Sequence, residues 1–295
     1  MTKTPPALLL TGATGYIGRR LAPVLSRSWT VLRASRTSAG DGALDLDLSD
    51  PDSIRRAFDA AAPKVVVHAG AEADPDVCER DPERARKVNV DAVKTLAMLC
   101  GASGARLVHF STDLVFDGER GWYGEDDRPV PRGVYARGKL ASEEAALVRA
   151  PGAAVLRVSA VYGRPLGGRT GFIDHLRAKL AAGEPAGAFT DQWRTATAAD
   201  QLPEVLVKLL ADPDLEGVFH WGGADRATRF EAAVTFARVM GFDERLIRPA
   251  RSVDAKFASP RPRDTSLDSS RLAAAIGIAP LTYEAGFKAL RGAWG

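Results

Sequence analysis

The sequence predicts an α/β fold: a doubly wound, Rossmann-like parallel sheet with a smaller, interleaved C-terminal lobe. Three observations carry that expectation. The apolar run 7–10 turns through Gly12, Gly15 and Gly18 into a stretch with Ile17, Leu21 and Leu25 at helical spacing. The run 64–68 (KVVVH) is β-branched and apolar, as a strand buried on both faces should be. Strands and helices then alternate through residue 158 with short connections, which implies right-handed crossovers and a parallel sheet.

In chain order, 7–10 is the first strand and the glycine turn opens the first helix. Strand signals follow at 29–34 (WTVLRA) and, more briefly, at 42–46. Asp50 can cap a helix with Pro51 at its first position, and Ile54, Ala57, Phe58 and Ala61 fall on one face of it. The strand at 64–68 precedes a long helix over 81–100, begun by Asp81-Pro82. Residues 106–111 (RLVHFS) form a fifth strand, and 113–134, rich in Gly, Pro and acids, a long loop. A helix over 135–149 and a sixth strand at 153–158 complete a dinucleotide-binding domain over 1–158. A substrate-binding lobe over 159–295 is expected beyond it. It carries helices at 172–182, 200–210, 229–240 and 283–293, and a strand at 217–221 (GVFHW) able to rejoin the main sheet. No Gly/Ser-rich linker separates the halves, so a cleft at the strand ends is expected.

Composition excludes several classes. The 295 residues carry a formal charge of +3 with both signs interleaved, and no basic stripe with aromatics speaks for nucleic acid. No apolar run approaches membrane-spanning length, and no secretory-type apolar region precedes residue 7, so the cytoplasm is the expected compartment. Cys78 and Cys100 are too few for a disulfide framework or zinc site and read as reduced thiols. His68, His109, His175 and His220 lack metal-ligand spacing, so no metal is expected.

The chemistry concentrates in three places. Gly12 permits a sharp turn, Gly15 a close approach of backbone to a pyrophosphate at a helix N-terminus, and Gly18 close helix–sheet packing. Thr14, Tyr16 and Ile17 fill the positions between them. After the second strand, LRASRTS offers Arg33, Ser35 and Arg36 and no carboxylate before Asp41. Two guanidiniums and a hydroxyl suit a 2′-phosphate, and so NADPH rather than NADH, with a solvated basic loop as the plain alternative. Finally, Tyr135 and Lys139 (YARGK) lie four residues apart on one helix face, where an ammonium brings a phenol toward the working range of an acid–base group. Ser111, Thr112 and Asp113, at the end of the fifth strand, supply the hydroxyl such a pair would need, or form a turn cluster. The acidic run Glu125, Asp126, Asp127 reads as solvated loop or as a border of the cleft, and Arg261 and Arg263 as a phosphate contact or a surface turn.

Taken together, GATGYIG, VVVHAGAEADPDVCERDP, VNVDA, STDLVFDG and VYARGKLASEE resemble the extended short-chain dehydrogenase/reductases. Within them the pattern is most similar to the dTDP-4-dehydrorhamnose reductase family and to its relative, the regulatory beta subunit of methionine adenosyltransferase. The likeness continues through AAVLRVSAVYG, GVFHWGG and RPRDTSLDSSRL and so spans nearly the whole chain. It implies NADPH-dependent reduction of a keto group on a nucleotide-linked 4-keto-6-deoxy sugar. By position it makes Thr112 the catalytic hydroxyl, Tyr135 the proton donor and a cofactor contact, and Lys139 the lysine that contacts the cofactor ribose and lowers the tyrosine pKa. Asp47 and Leu48 would meet adenine, Ala69, Gly70 and Ala71 would pass the cofactor with their backbone, and Ser111 would border it. Thr112, Asp113 and Arg194 would face the sugar nucleotide. A homodimer is the candidate assembly.

Three positions depart from that family: Leu114 replaces a tyrosine, Ala160 a tryptophan and Ala196 a proline. Lost aromatics remove stacking where a sugar would lie, so a wider pocket is expected. Two other readings use the same scaffold: a non-catalytic NADP-binding regulatory subunit, and a nucleotide-sugar epimerase or dehydratase. The intact Thr112–Tyr135–Lys139 set favours catalysis.

Overall fold

The computed structural model describes residues 5–36, 42–167 and 171–294. Asp41, the first carboxylate expected after the second strand, lies outside the described residues. The chain forms two compact units. The first comprises Met1–Ser111, Gly133–Arg157 and Leu202–Phe219, and the second Thr112–Arg132, Val158–Gln201 and His220–Gly295. One crossing falls at 157/158, beside the boundary read from the sequence. The others return 202–219 to the first unit and give 112–132 to the second.

The first unit is built on strands β1 (Ala7–Thr11), β2 (Thr30–Ser35), β3 (Leu44–Asp45), β4 (Val65–His68), β5 (Arg106–Thr112) and β6 (Ala154–Val158). With the strand Gly217–Trp221 they form a seven-stranded sheet in the order Gly217–Trp221, β6, β5, β4, β1, β2, β3. β1 pairs in parallel with both β2 and β4, and β4 in parallel with β5. The strand order therefore reverses between β1 and β4, where doubly wound sheets open their ligand crevice. Leu8, Leu9 and Leu10 are fully buried, and one face of the sheet packs on Ile54, Phe58, Val93 and Leu96.

Helix α1 (Gly18–Leu25) follows the glycine turn, and α2 (Pro51–Ala61) is capped by Asp50, whose carboxylate accepts from the Asp52 N–H at 2.9 Å. The helix expected over 81–100 is helical throughout but carries a π turn in its middle. Pro75–Arg80 (α3) precedes it, Pro82–Arg86 (α4) is short, and a π-helical turn at Lys87–Asp91 leads into α5 (Ala92–Ser103). Asp74 and Asp81 each cap the piece that begins at the following proline, a helix start that Asp-Pro favours. The π turn carries Asn89, which is 2 % exposed. Its amide accepts from the Glu72 N–H at 2.9 Å and donates to the Glu72 carbonyl at 3.0 Å, pinning the loop after β4. Helix α6 (Val134–Arg149) starts after Gly133, and the Val134 N–H donates to Glu79 at 2.9 Å.

The second unit has its own core, in which Tyr162, Phe236, Tyr283 and Phe287 join the helices Phe172–Ala181, Arg229–Met240 and Tyr283–Trp294. Sequence reading missed its small strands. Ala186–Phe189 pairs in parallel with Ile247–Ala250, and two-residue pairs join 161–162 to 197–198 and 193–194 to 227–228. It also missed the helix Ser270–Ile276. Strands of two to four residues are too short to display an alternating pattern. The long loop 113–134 is ordered against 264–268: Phe116 stacks on Tyr123 at 4.2 Å, and the Tyr123 N–H donates to the Ser266 carbonyl at 2.8 Å. Glu125 is not solvated, as the sequence had suggested. Its side chain is 5 % exposed, and its carboxylate accepts from the His220 N–H at 3.0 Å and lies 3.5 Å from Arg271.

Candidate functional site

At the end of β1 the chain turns at Gly12 with φ +66°. A β-carbon there would stand 2.6 Å from the Gly70 backbone, so only glycine lets this turn lie against the loop after β4. At Gly18 a β-carbon would come within 2.2 Å of the Gly12 carbonyl oxygen, which is how closely α1 approaches the turn. The Gly15 N–H donates to that same oxygen at 2.9 Å.

These close approaches leave a cavity of about 250 Å³ within the first unit. Gly12, Thr14, Gly15, Ser35, Arg36, Asp47, Leu48, Ala69, Gly70 and Ala71, all among the residues expected at a cofactor, line it together. Leu46, Glu72, Arg84 and Val88 complete its wall and were not read from the sequence. The last two come from the helical segment that follows Asp81-Pro82, Arg84 from α4 and Val88 from the π turn. Asp47 is fixed by Ser49, whose N–H and hydroxyl donate to it at 2.8 and 2.7 Å. Those bonds hold its carboxyl below the usual range, with Arg36 and Arg84 pulling the same way. A backbone bare of β-carbons beside a strand–helix turn, with guanidiniums at one end, fits a dinucleotide.

The remaining expected residues lie elsewhere. Tyr16 carries the Arg20 guanidinium 4.4 Å over its ring. Ile17 precedes α1, and Gly18 packs α1 on the turn. Arg33 sits inside β2, opposite Leu10. The Ser111 hydroxyl donates to Glu143, which is buried in an ion pair with Arg157 at 2.7 Å.

Tyr135 and Lys139 occupy the first turns of α6, and both are buried. The Lys139 ammonium donates to the Phe110 carbonyl at 2.7 Å and meets His109 Nε2 at 3.1 Å. Burial pulls its pKa down to about 8. His109 stacks on His68, its partner across β4 and β5, with ring centroids 5.3 Å apart. Burial and the nearby ammonium keep both imidazoles neutral, His68 with a pKa of about 3.

In the second unit, the Thr112 hydroxyl accepts from the Leu114 N–H and donates to Asp113, both at 3.2 Å. Asp113 also accepts from Thr265 at 2.6 Å and Ser159 at 3.1 Å. The Arg194 Nε stands 3.5 Å from Asp113, while its terminal nitrogens donate to the Trp193 and Pro262 carbonyls at 2.6 and 3.0 Å. Asp113 and Arg194 are thus braced within the unit. Trp193 lies between the guanidiniums of Arg226 and Arg263, at 5.2 and 5.1 Å, and Trp122 is half exposed. Among the described residues no cluster of His, Cys, Asp and Glu could hold a metal ion, and no helix is long and apolar enough to cross a membrane.

Comparison with known proteins gives three kinds of likeness. The sequence pattern described as RmlD substrate binding domain matches residues 6–292. Methionine adenosyltransferase 2 subunit beta from Bos taurus is 33 % identical over 275 residues, covering 90 % of this chain and 81 % of that one. The probable low-salt glycan biosynthesis reductase Agl14 of Haloferax volcanii is 32 % identical over 293 residues, 97 % of each chain. In fold, the chain is similar to the dTDP-4-dehydrorhamnose reductase of Bacillus anthracis, whose crystal structure is a complex with NADP. The TM-score is 0.88 at 21 % identity, over 97 % of this chain and 99 % of that one.

Proposed function

The chain belongs to the RmlD substrate-binding-domain family, within the extended short-chain dehydrogenase/reductases, and on that premise we propose that it reduces the keto group of a nucleotide-linked 4-keto-6-deoxy sugar with NADPH. As a member it is an NAD(P)-dependent oxidoreductase. The observation that carries the reading is a glycine-walled dinucleotide cavity in the same unit as Tyr135 and Lys139 on one turn of α6.

Gly12, Gly15, Gly70 and Arg36 would hold the cofactor. When bound, its dihydronicotinamide supplies a hydride. Tyr135 gives its phenolic proton to the oxygen of the carbonyl being reduced. Lys139, an ammonium beside that tyrosine, favours the phenolate left behind and lowers the cost of the transfer. By the family resemblance Thr112 is the hydroxyl that would hydrogen-bond the reacting oxygen. Binding energy from the nucleotide positions the carbonyl, so a free sugar is a far poorer substrate than its nucleotide-linked form.

The test is oxidation of NADPH against a panel of nucleotide-linked 4-keto-6-deoxy sugars. Tyr135→Phe should cut turnover at least roughly a hundredfold while leaving cofactor affinity unchanged. Tight cofactor binding with no turnover on any of these sugars would remove the reductase reading. The second reading would then stand: an NADP-binding subunit without catalysis, supported by the 33 % identity to methionine adenosyltransferase 2 subunit beta. Its signature would be a stable complex with a methionine adenosyltransferase.

A further inference from the structure

Beside the dinucleotide cavity lies a second opening of about 400 Å³. It shares Arg36, Asp47, Arg84 and Val88 with the first and continues past Ser49 and Lys87. Its charges are unevenly committed. Lys87 pairs with Glu83 at 3.0 Å, and the Asp81 carboxylate caps α4 by accepting the Arg84 N–H at 3.1 Å. Asp47 bonds Ser49. The guanidiniums of Arg36 and Arg84 make no hydrogen bond or ion pair among the described residues. What they have in common is the field of Asp47, which both reach. Two elements, the end of β2 and helix α4, thus each present an exposed guanidinium to one recess at the same end of the cavity.

We propose that Arg84 is the second half of a guanidinium clamp that, with Arg36, holds the 2′-phosphate of the cofactor and sets its preference for NADP over NAD. The inference rests on the dinucleotide reading of the cavity. Lys87 is paired with Glu83, so the guanidiniums of Arg36 and Arg84 face Asp47 and Asp81 across the recess, and a phosphate dianion satisfies two forks through charge-assisted hydrogen bonds. The sequence suggested Arg33 as the partner of Arg36. Arg33 lies within β2 and outside the cavity wall, whereas Arg84 is part of that wall. Three acids border the same opening, Asp47, Asp81 and Glu83. They would oppose an anion held by one arginine alone, which makes the second guanidinium necessary.

The test is calorimetric binding of four probes, 2′,5′-ADP, 5′-AMP, NADPH and NADH, to the full chain and to Arg84→Ala, with no sugar present. Arg84 is exposed, so the variant should fold. Arg84→Ala should weaken 2′,5′-ADP and NADPH roughly tenfold and leave 5′-AMP and NADH within about twofold. Arg84→Lys should recover part of the loss. An equal loss across all four probes would overturn the clamp and make Arg84 an adenine-packing residue, and unchanged affinities would overturn it as well. If the parent chain prefers the 2′-phosphate and Arg84→Ala keeps that preference, only the Arg84 assignment falls. If the parent chain binds none of the four, the dinucleotide reading falls with it.

Discussion

Lys139 is held as a buried ammonium by His109, whose Nε2 lies 3.1 Å from its Nζ, with the Phe110 carbonyl as its other partner. The same Nε2 lies 2.9 Å from the Ser142 hydroxyl, and Nδ1 has no hydrogen-bond partner among the described residues. The ammonium is therefore solvated by dipoles rather than by a contacting carboxylate, and burial brings its pKa down from 10.5 to about 8. Between those two values the unfolded chain holds a proton that the folded chain has released. Stability from this group consequently rises with pH across that window and is flat below about 8. Urea denaturation of the parent and Lys139→Met across pH 7 to 11 (roughly the span of the two pKa values) should give a stability difference that moves in favour of the parent as pH rises. A difference that does not change with pH would mean the lysine is not strained by burial.

Glu143 and Arg157 form an ion pair 2.7 Å long, with side chains 2 % and 4 % exposed. Removing the charge leaves a guanidinium in the core without its counter-charge and leaves one amide oxygen to accept from both Ser111 and Arg157. Glu143→Gln should cost about 3–5 kcal/mol of unfolding free energy. Replacing both partners by apolar residues of similar volume should cost much less. Denaturation curves of the two variants make the comparison, and similar losses in both would argue that packing, not charge, is what Glu143 contributes.

Arg36 lines the dinucleotide cavity, and Arg33 does not. The parent chain should bind NADPH more tightly than NADH, and Arg36→Ala should narrow the gap by itself. Arg33→Ala should leave it unchanged. Fluorescence titration of the three proteins decides the matter, and equal affinities of the parent for the two cofactors would remove the NADP assignment.

Leu114 follows the Thr112–Asp113 pair and is half-buried, and Ala160 is likewise half-buried in the same unit. Where an aromatic is missing, a sugar loses stacking and gains room. The chain should accept bulkier or differently decorated keto sugars than a rhamnose-forming reductase does. Leu114→Tyr should shift selectivity back toward the rhamnose precursor, read as a ratio of kcat/KM values. An unchanged ratio would mean that Leu114 does not border the sugar.

Much of the first unit was legible in the sequence because its signals are local. Continuous apolar runs marked β1 and β4, Asp50-Pro51 marked the start of α2, and the spacing of Gly12, Gly15 and Gly18 marked a turn that only glycine can make. A strand, a cap or a left-handed turn is determined by a few neighbouring residues, so its pattern can be read along the chain. The tertiary structure decided what depends on distance through space. It put a π turn into the helix expected at 81–100, where Asn89 fastens the loop at Glu72, and brought Arg84 to the cavity wall. It committed Ser111 to Glu143 and braced Arg194 against Asp113 and the Pro262 carbonyl. It buried Glu125 under His220, though its acidic neighbours had suggested solvent. Each of these follows from burial, which makes an unpaired polar group costly and so obliges it to find a partner wherever the fold brings one. That partner stands 17 residues away for Asn89 and 95 for Glu125, beyond the reach of any periodicity in the sequence.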